Sequence, residues 1–232
     1  MAGRTAHEGT IGLCLFACLA TGAHAAGGAY AVDDAAIGIV GECQVESWVA
    51  VASNGDLVGV TQPACVVNLG VPVEMTATAQ AARFDGQWTT LTGVQVKFIG
   101  LPMGSNNLAV GMVLNTLFDT TNGVNVTFVN VPVTIKMRDD FRLNLNSGWL
   151  HDTIDDTDHL TWGAGFEWDF RQQWTLIAEV YGQTGHLSDP RMQAGLRFAP
   201  TKTIDLDIVY GRNIAGENAN WITAGLTVRF PR

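Results

Sequence analysis

The chain has 232 residues, with 13 lysine and arginine side chains, 22 acidic side chains and a formal net charge of −9 at pH 7. This acidic balance argues against a nucleic-acid partner, because binding to phosphate groups requires clustered positive charge. Only three of the basic residues are lysines, which is few for a protein that covers its surface with water-solvated charge.

Residues 1–25 have the three parts of a secretory signal peptide. Arg4 and His7 precede an apolar run at residues 11–20, and small residues follow up to an Ala-His-Ala site at residues 23–25. The apolar run is far shorter than the roughly 20 residues of a transmembrane helix, which disfavours an uncleaved anchor. A lipoprotein-type cleavage before Cys18 is a weaker alternative, because the residues before it fit that motif poorly.

We therefore predict export, cleavage near residue 25 and a short N-terminal periplasmic segment at residues 26–42. Of the four cysteines, Cys14 and Cys18 lie in the signal peptide, and Cys43 and Cys65 remain. In an oxidising compartment the remaining pair is expected to form one disulfide across the first hairpin. A zinc site is the remote alternative, since no histidine pair lies near the two thiols.

Turn signals divide the rest of the chain into segments of roughly ten residues, the length of a tilted strand that crosses a bilayer. No convincing helical period appears in these segments. An even number of strands is usual for a single-chain bacterial barrel. The sequence predicts twelve strands, at residues 43–52, 56–67, 72–84, 87–99, 108–119, 124–137, 141–151, 159–170, 174–184, 190–199, 203–212 and 219–230.

The connections in the C-terminal half alternate between short and longer, as periplasmic turns and outer loops do in a membrane barrel. The short ones lie at residues 138–140, 171–173 and 200–202, and the longer ones at 152–158, 185–189 and 213–218. The N-terminal half follows this rule less well, because residues 53–55 and 85–86 would be outer loops and both are tight, whereas residues 100–107 would be an unusually long inner turn. The segment 124–137 also changes its apolar face near Val129, which a β-bulge would explain.

Residues 160–170, LTWGAGFEWDF, alternate strictly between apolar positions and polar or glycine positions. In a soluble sheet the apolar face forms the core, whereas in a membrane barrel it meets lipid and the polar face lines the lumen. Neighbouring segments repeat the alternation and place acids and arginines on one face. We therefore predict an all-β, antiparallel, up-and-down transmembrane β-barrel at residues 43–230, with a soluble β-sandwich as the alternative.

The charged face is interpreted as an enclosed lumen in which acids and arginines compensate one another. Arg197 and Asp205 flank the turn at 200–202 at a spacing that predicts that they lie opposite each other. The predicted lumen-lining charges are Arg142, Glu167, Asp169, Glu179, Arg191, Arg197, Asp205, Asp207 and Arg229.

Aromatic residues lie near both predicted ends of the strands, as interfacial belts require. One group is predicted beside the short turns, at Phe141, Trp168, Phe170, Trp174, Phe198 and Phe230. A second group is predicted toward the longer loops, at Trp149, Trp162, Tyr181, Tyr210 and Trp221.

The C-terminal segment TAGLTVRF, residues 223–230, resembles the assembly signal of outer-membrane proteins through Thr223, Gly225, Val228 and Phe230. The departure is Pro231-Arg232 after the final aromatic residue. Residues 139–230, including RLNLNSGWLHD and IDLDIVYGRN, are also similar to small proteobacterial outer-membrane barrels of the transporter type, associated with phenol-degradation pathways. That resemblance implies membrane structure or transport without defining a substrate.

A catalytic centre is not expected, although some small outer-membrane barrels are hydrolases. The histidines beyond the signal peptide are His151, His159 and His186, with Ser147 and Ser188 as the nearest serines. Ser147 and Asn144 occupy odd and even positions of one strand and cannot share a face. The acidic loop at 152–158 contains several carboxylates but lacks the glycine and glutamate of an EF-hand, so a solvated loop is favoured over a Ca²⁺ site.

The sequence thus predicts a passive channel for small hydrophilic solutes, with no enzyme activity, cofactor or metal. The alternatives are a non-conducting structural or adhesive barrel and a soluble periplasmic protein. The expected partners are outer-membrane lipid, lipopolysaccharide and the barrel-assembly machinery, and the solute itself is not identified by these patterns.

Overall fold

The computed structural model describes residues 29–119, 123–185, 190–215 and 219–230. The predicted signal peptide, its cleavage site and Pro231-Arg232 lie outside these residues. Within them, no helix is long and apolar enough to cross a membrane.

Twelve antiparallel strands form one closed barrel, in which each strand pairs with its neighbours in the chain and β12 returns to pair with β1. The predicted number of strands is confirmed, and every predicted strand end lies within two residues of the observed one. The strands are β1 Cys43–Ala52, β2 Leu57–Asn68, β3 Pro72–Phe84, β4 Gln87–Leu101, β5 Leu108–Asp119, β6 Gly123–Arg138, β7 Phe141–Asp152, β8 Thr157–Arg171, β9 Trp174–Gln183, β10 Arg191–Thr201, β11 Ile204–Asn213 and β12 Asn220–Phe230.

The strand alternation places the polar positions inside the barrel and the apolar positions outside it. On β8, Gly163 and Glu167 are buried, whereas Leu160 is 62% exposed and Trp162 is 43% exposed. This arrangement is the inverse of a soluble core, in which the large apolar side chains would be buried. The prediction that the apolar faces of the strands point outward and the polar faces point into the barrel is therefore confirmed.

The barrel has two distinguishable ends. We call the end that carries Cys43 and Phe230 the base, and the opposite end the rim. At the rim, β7 and β8 extend to Asp152 and Thr157, so the predicted loop at 152–158 is a turn of only four residues. Asp156 in this turn has a φ of 49°, a left-handed conformation that aspartate tolerates better than most residues.

The inner face of β6 does not change at Val129, contrary to the sequence prediction. Phe128, Asn130 and Thr134 are all buried on the same side of the strand. The register irregularity lies nearer the rim, where Leu117 pairs with Val126 and Phe118 pairs with Val124. The apparent change of face arises because the inner wall itself becomes apolar toward the rim.

The predicted disulfide is confirmed. Cys43 and Cys65 lie directly opposite each other on β1 and β2, with Cα atoms 4.0 Å apart, and the bond joins residues separated by 22 positions. It connects the first strand of the barrel to its neighbour at the base, next to the β1–β12 pair that closes the sheet.

Replacing both cysteines, Cys43→Ser with Cys65→Ser, is expected to lower the free energy of unfolding. The loss should be about 3 kcal/mol, because the cross-link restricts the unfolded chain over a loop of this size. Denaturant-induced unfolding in detergent measures it. The matched control is Ser47→Ala with Thr61→Ala, a pair on the same two strands whose hydroxyl oxygens are 3.1 Å apart. That pair should contribute about 1 kcal/mol or less, and an equal loss in both variants would contradict the prediction.

Candidate functional site

The inner wall of the barrel is divided into a polar half at the base and an apolar half at the rim. The polar half is built from buried inward-facing side chains, including Glu46, Gln62, Glu74, Gln95, Lys97, Asn115, Thr134, Asn144, Glu167, Asp205 and Asp207. The apolar half includes Val58, Val60, Ala82, Phe84, Leu91, Leu117, Val126, Phe128, Leu150, Tyr181 and Trp221. Tyr181 and Trp221 therefore point inward, and their assignment to the outer aromatic belt is wrong.

Two arginines and two aspartates form a connected network on β10, β11 and β12. The Arg197 guanidinium donates to both carboxylate oxygens of Asp207, at 3.0 and 3.3 Å, and its Nε lies 3.9 Å from Asp205. Arg229 Nη2 donates to Asp205 at 2.6 Å. The side chains of Asp207 and Asp205 are 1% and 7% exposed, so the arginines compensate carboxylates that are largely removed from water.

The residue directly opposite Arg197 is Asp207, whereas the sequence spacing predicted Asp205. The turn lies at residues 202–203 and a register irregularity falls between Phe198 and Thr201, so that Arg197 lies opposite Asp207 and only diagonally to Asp205. The sequence spacing assumed a regular hairpin about the turn at 200–202. The later turn moves the partner of Arg197 three positions along β11, and the irregularity moves it back by one, so that the net change is from Asp205 to Asp207.

A second cluster lies on β7 and β8. Arg142 Nη2 donates to Glu167 at 2.9 Å and lies 3.8 Å from Asp169, while Asn144 Nδ2 donates to Glu167 at 2.7 Å. Asp169 is half exposed at the base and accepts a hydrogen bond from Thr175.

The remaining predicted lumen charges take other positions. Arg191 is buried opposite Tyr181, at the rim end of β10 and away from the base clusters. Glu179 lies on the inner face of β9, where it accepts hydrogen bonds from the N-terminal part of the chain.

Residues 29–42 do not extend away from the barrel as the predicted periplasmic segment would; residues 29–35 cross its interior. We call residues 29–42 the lumen segment. Glu179 accepts the backbone N–H groups of Ala31 and Val32, the latter at 3.0 Å. Asn146 accepts the N–H of Asp33 at 2.8 Å and donates to its carbonyl at 2.7 Å. The segment is thus held by side chains on the inner wall.

Further contacts continue toward β6 and β4. Thr134 Oγ1 accepts the N–H of Ala35 at 2.8 Å. Lys97 Nζ lies 2.8 Å from Asp33 and 3.2 Å from Asp34, and the side chains of Lys97 and Asp33 are fully buried. This ion pair joins the segment to the wall in an environment that excludes water, where an unpaired charge is costly.

Glycines on the inner wall leave room for the lumen segment. A Cβ on Gly163 would lie 2.9 Å from Val32, and a Cβ on Gly195 would lie 2.8 Å from the Tyr30 hydroxyl. On β12, a Cβ on Gly225 would lie 3.2 Å from the Cβ of Ala29. These glycines, which the sequence indicated only as small positions on a polar face, permit the close approach of the segment.

The lumen segment is buried against the apolar half of the wall at Tyr30. Tyr30 packs with Trp48, Val58 and Phe84, and a cavity of about 20 Å³ lies beside it. At the base, a cavity of about 360 Å³ is lined by five carboxylates and three arginines, namely Asp34, Glu42, Glu46, Glu74, Glu167, Arg142, Arg197 and Arg229. We call this base cavity the vestibule.

Among the described residues, the serine, histidine and asparagine considered for catalysis do not form a catalytic arrangement. Ser147 is exposed on the outer face, whereas Asn144 is buried inside. His186 and Ser188 lie outside the described residues. The described part of the chain contains no cluster of three metal-ligating side chains. In the acidic turn, Asp152 accepts the N–H groups of Ile154 and Asp155 and therefore stabilises the turn itself.

The sequence prediction missed Lys97, Glu46, Glu74 and the lumen segment. A signal for Glu74 and Lys97 existed, since Glu74, Thr76, Thr78 and Gln80 alternate with apolar residues, as do Gln95 and Lys97. The alternation was weak because alanine and valine occupy many of the outward positions. Nothing in the local pattern of residues 29–42 indicated that they lie inside the barrel.

Comparisons with known proteins agree with this architecture. The model of a family described as "Uncharacterised conserved protein UCP029691" matches residues 14–230. No curated protein matches the chain. The chain is similar in structure to a KdgM porin, with a TM-score of 0.65, 10% sequence identity, and coverage of 81% of this chain and 99% of that chain.

Two further solved structures share the fold. The outer-membrane channel COG4313 from Pseudomonas putida F1 gives a TM-score of 0.64 at 11% identity, covering 85% of this chain and 98% of that chain. The NanC porin gives a TM-score of 0.61 at 11% sequence identity, covering 79% of this chain and 98% of that chain. The resemblance of this chain to small outer-membrane barrels is thereby confirmed at the level of the fold.

Arg197→Ala is expected to lower the free energy of unfolding by roughly 3–5 kcal/mol, because it leaves the buried Asp207 carboxylate without its partner. Adding Asp207→Asn should recover part of the loss. Urea unfolding in lipid vesicles measures both variants. The control is Arg138→Ala, whose guanidinium is 63% exposed beside Asp140 and should contribute less than about 1 kcal/mol. Equal losses in the two single variants would show that burial of the Arg197 pair is energetically unimportant.

Proposed function

The chain belongs to the UCP029691 family, and we propose that it is a bacterial outer-membrane channel through which small hydrophilic solutes pass passively. The observation that carries this proposal is the inverted barrel wall. Large apolar side chains such as Leu160, Ile208 and Ile222 are 51–62% exposed on the outside, while acids, amides and arginines are buried inside. A closed sheet with this distribution has its outer face suited to lipid and its lumen suited to polar solutes.

The vestibule supports a hydrophilic solute more than an apolar one. Its carboxylates and guanidinium groups can exchange hydrogen bonds with hydroxyl, amide or ionic groups of a solute entering from the base. A structural neighbour, the KdgM porin, has been solved in complex with oligogalacturonate. That ligand belongs to that protein, and at 10% identity it supports here only the general class of a polar solute.

A non-conducting structural barrel is the second candidate. The observation that favours it is the lumen segment, which crosses the barrel interior, with Tyr30 buried against apolar side chains of the wall and a cavity of about 20 Å³ beside it. A barrel closed in this way in all conditions would act through its rim turns or simply as a membrane-embedded body.

Outer-membrane residence further implies export through the signal peptide at residues 1–25 and contact with lipopolysaccharide at the rim. The C-terminal strand β12 presents Ile222, Ala224, Leu226 and Phe230 outward, the alternation expected of a signal read by the barrel-assembly machinery. These partners are part of the proposal.

Ile208→Arg tests whether the outer face meets lipid. Ile208 is central in β11 and 51% exposed, so a charge there should cost roughly 2–4 kcal/mol of unfolding free energy in a bilayer. The control Gln172→Arg lies in an exposed turn at the base and should cost about 1 kcal/mol or less. Unfolding from lipid vesicles measures both. A soluble protein would tolerate the two substitutions alike, which is the result that would refute membrane insertion.

Planar-bilayer recording of the chain from residue 26 tests the channel. We expect discrete current steps whose cation preference increases in the double variant Arg142→Gln with Arg229→Gln, since both guanidinium groups line the vestibule and remain more than one-third exposed to solvent there. Arg138→Gln, in the turn region at the base, is the matched control and should leave the selectivity unchanged. Correctly inserted protein that passes no current would favour the structural barrel.

A further inference from the structure

We propose that the lumen segment is a dissociable plug, and that the inner wall is a peptide-binding site which the segment occupies in the closed state. This inference rests on the proposed channel function. It assigns to residues 29–38 the role of an intramolecular ligand that leaves the lumen when a solute passes.

The barrel is complete without the lumen segment. Every strand is paired on both sides, and β1 with β12 closes the sheet. The backbone groups of residues 31–35 are bound by side chains of Glu179, Asn146 and Thr134, which lie on three different strands. Release of the segment therefore breaks side-chain contacts and leaves the strand pairing intact.

The binding groups are those that a polar lumen can rehydrate. Glu179 and Gln193 form a pair 2.7 Å apart that also binds the segment, through Val32 N–H and the carbonyl of Ala29. Lys97 binds the carboxylates of Asp33 and Asp34. All of these groups can bind water in place of the segment, so an open state does not require a buried charge to remain unpaired.

The wall also recognises particular side chains of the segment. Val32 lies over Gly163 and packs with Tyr181 and Trp221. Tyr30 lies over Gly195, with the guanidinium of Arg197 5.9 Å from its ring centre. The segment is thus held by hydrogen bonds to its backbone and by recesses for its side chains, the two elements of peptide recognition.

A short tether keeps the segment near its site. Gly41 N–H donates to Val66 at 2.8 Å and Val66 N–H donates to Glu42 at 2.9 Å, so the segment remains anchored at the base beside β2. Gly41 has a φ of 92°, which favours glycine, and Gly38 precedes it. Tethering gives the segment a high effective concentration at the wall, which favours rebinding after each release.

A reversible cross-link tests whether the segment must move. Ala29→Cys with Gly225→Cys places two thiols where the Cβ atoms would be 3.2 Å apart, close enough for a disulfide after a small shift. Oxidation should abolish the current and reduction should restore it. The matched control is Ser47→Cys with Thr61→Cys on the outer face, whose hydroxyl oxygens are 3.1 Å apart. Oxidation of the control should leave the current unchanged. Mass spectrometry identifies the bonded pairs.

A deletion and an added peptide test the binding site directly. A chain beginning at residue 39 should show larger and longer current steps than the chain from residue 26. The synthetic peptide of residues 29–38 should then block that current saturably, and a peptide carrying Tyr30→Ala and Asp33→Asn should need roughly tenfold or more higher concentration, as expected from the loss of a charged hydrogen bond.

The outcomes separate this inference from the channel proposal. Current through the oxidised Ala29–Gly225 variant equal to that of the reduced protein would overturn the plug while leaving the channel intact. Absence of block by the peptide of residues 29–38 would overturn the binding site. Absence of current from both the full and the shortened chains, with insertion confirmed, would overturn the channel itself and the inference with it.

Discussion

The pairing of β12 with β1 is the constraint on which the rest of the molecule depends. It closes the sheet, so that no strand leaves a row of backbone N–H and C=O groups without partners. In lipid such groups cannot be bound by water, and only closed sheets or helices satisfy them. Closure also separates an inside from an outside, and the alternation of each strand then decides which side chains meet each environment.

The interior created by this closure must itself be filled, hydrated or lined by compensated charge. Toward the rim it is filled by side chains such as Leu117, Phe128 and Leu150. Toward the base, Arg197 and Arg229 compensate Asp207 and Asp205, and Arg142 compensates Glu167. The lumen segment joins these two halves, because Tyr30 and Val32 pack with apolar side chains while Asp33 binds Lys97.

The glycines of the inner wall are placed by the in-and-out alternation of the strands, and they leave room for the lumen segment. On β8, the alternation that faces Trp162 outward also turns Gly163 inward, and the missing side chain is the space that Val32 uses. A larger residue there would keep the strand in register but move the lumen segment away from the wall. Gly163 therefore fits the regular alternation of β8 and also leaves the space that Val32 occupies.

The sequence by itself determined the twelve strands, their inward and outward faces and the Cys43–Cys65 bond, because each depends on a period of two residues or on neighbouring strands. The partner of Arg197 required the structure, since the turn at residues 202–203 and an irregularity after Phe198 together set the register without any clear mark in the sequence. The position of the lumen segment inside the barrel also required the structure. Ala31 binds Glu179 across 148 residues and Asp33 binds Lys97 across 64, and such contacts exist only because the closed barrel brings distant strands around one interior.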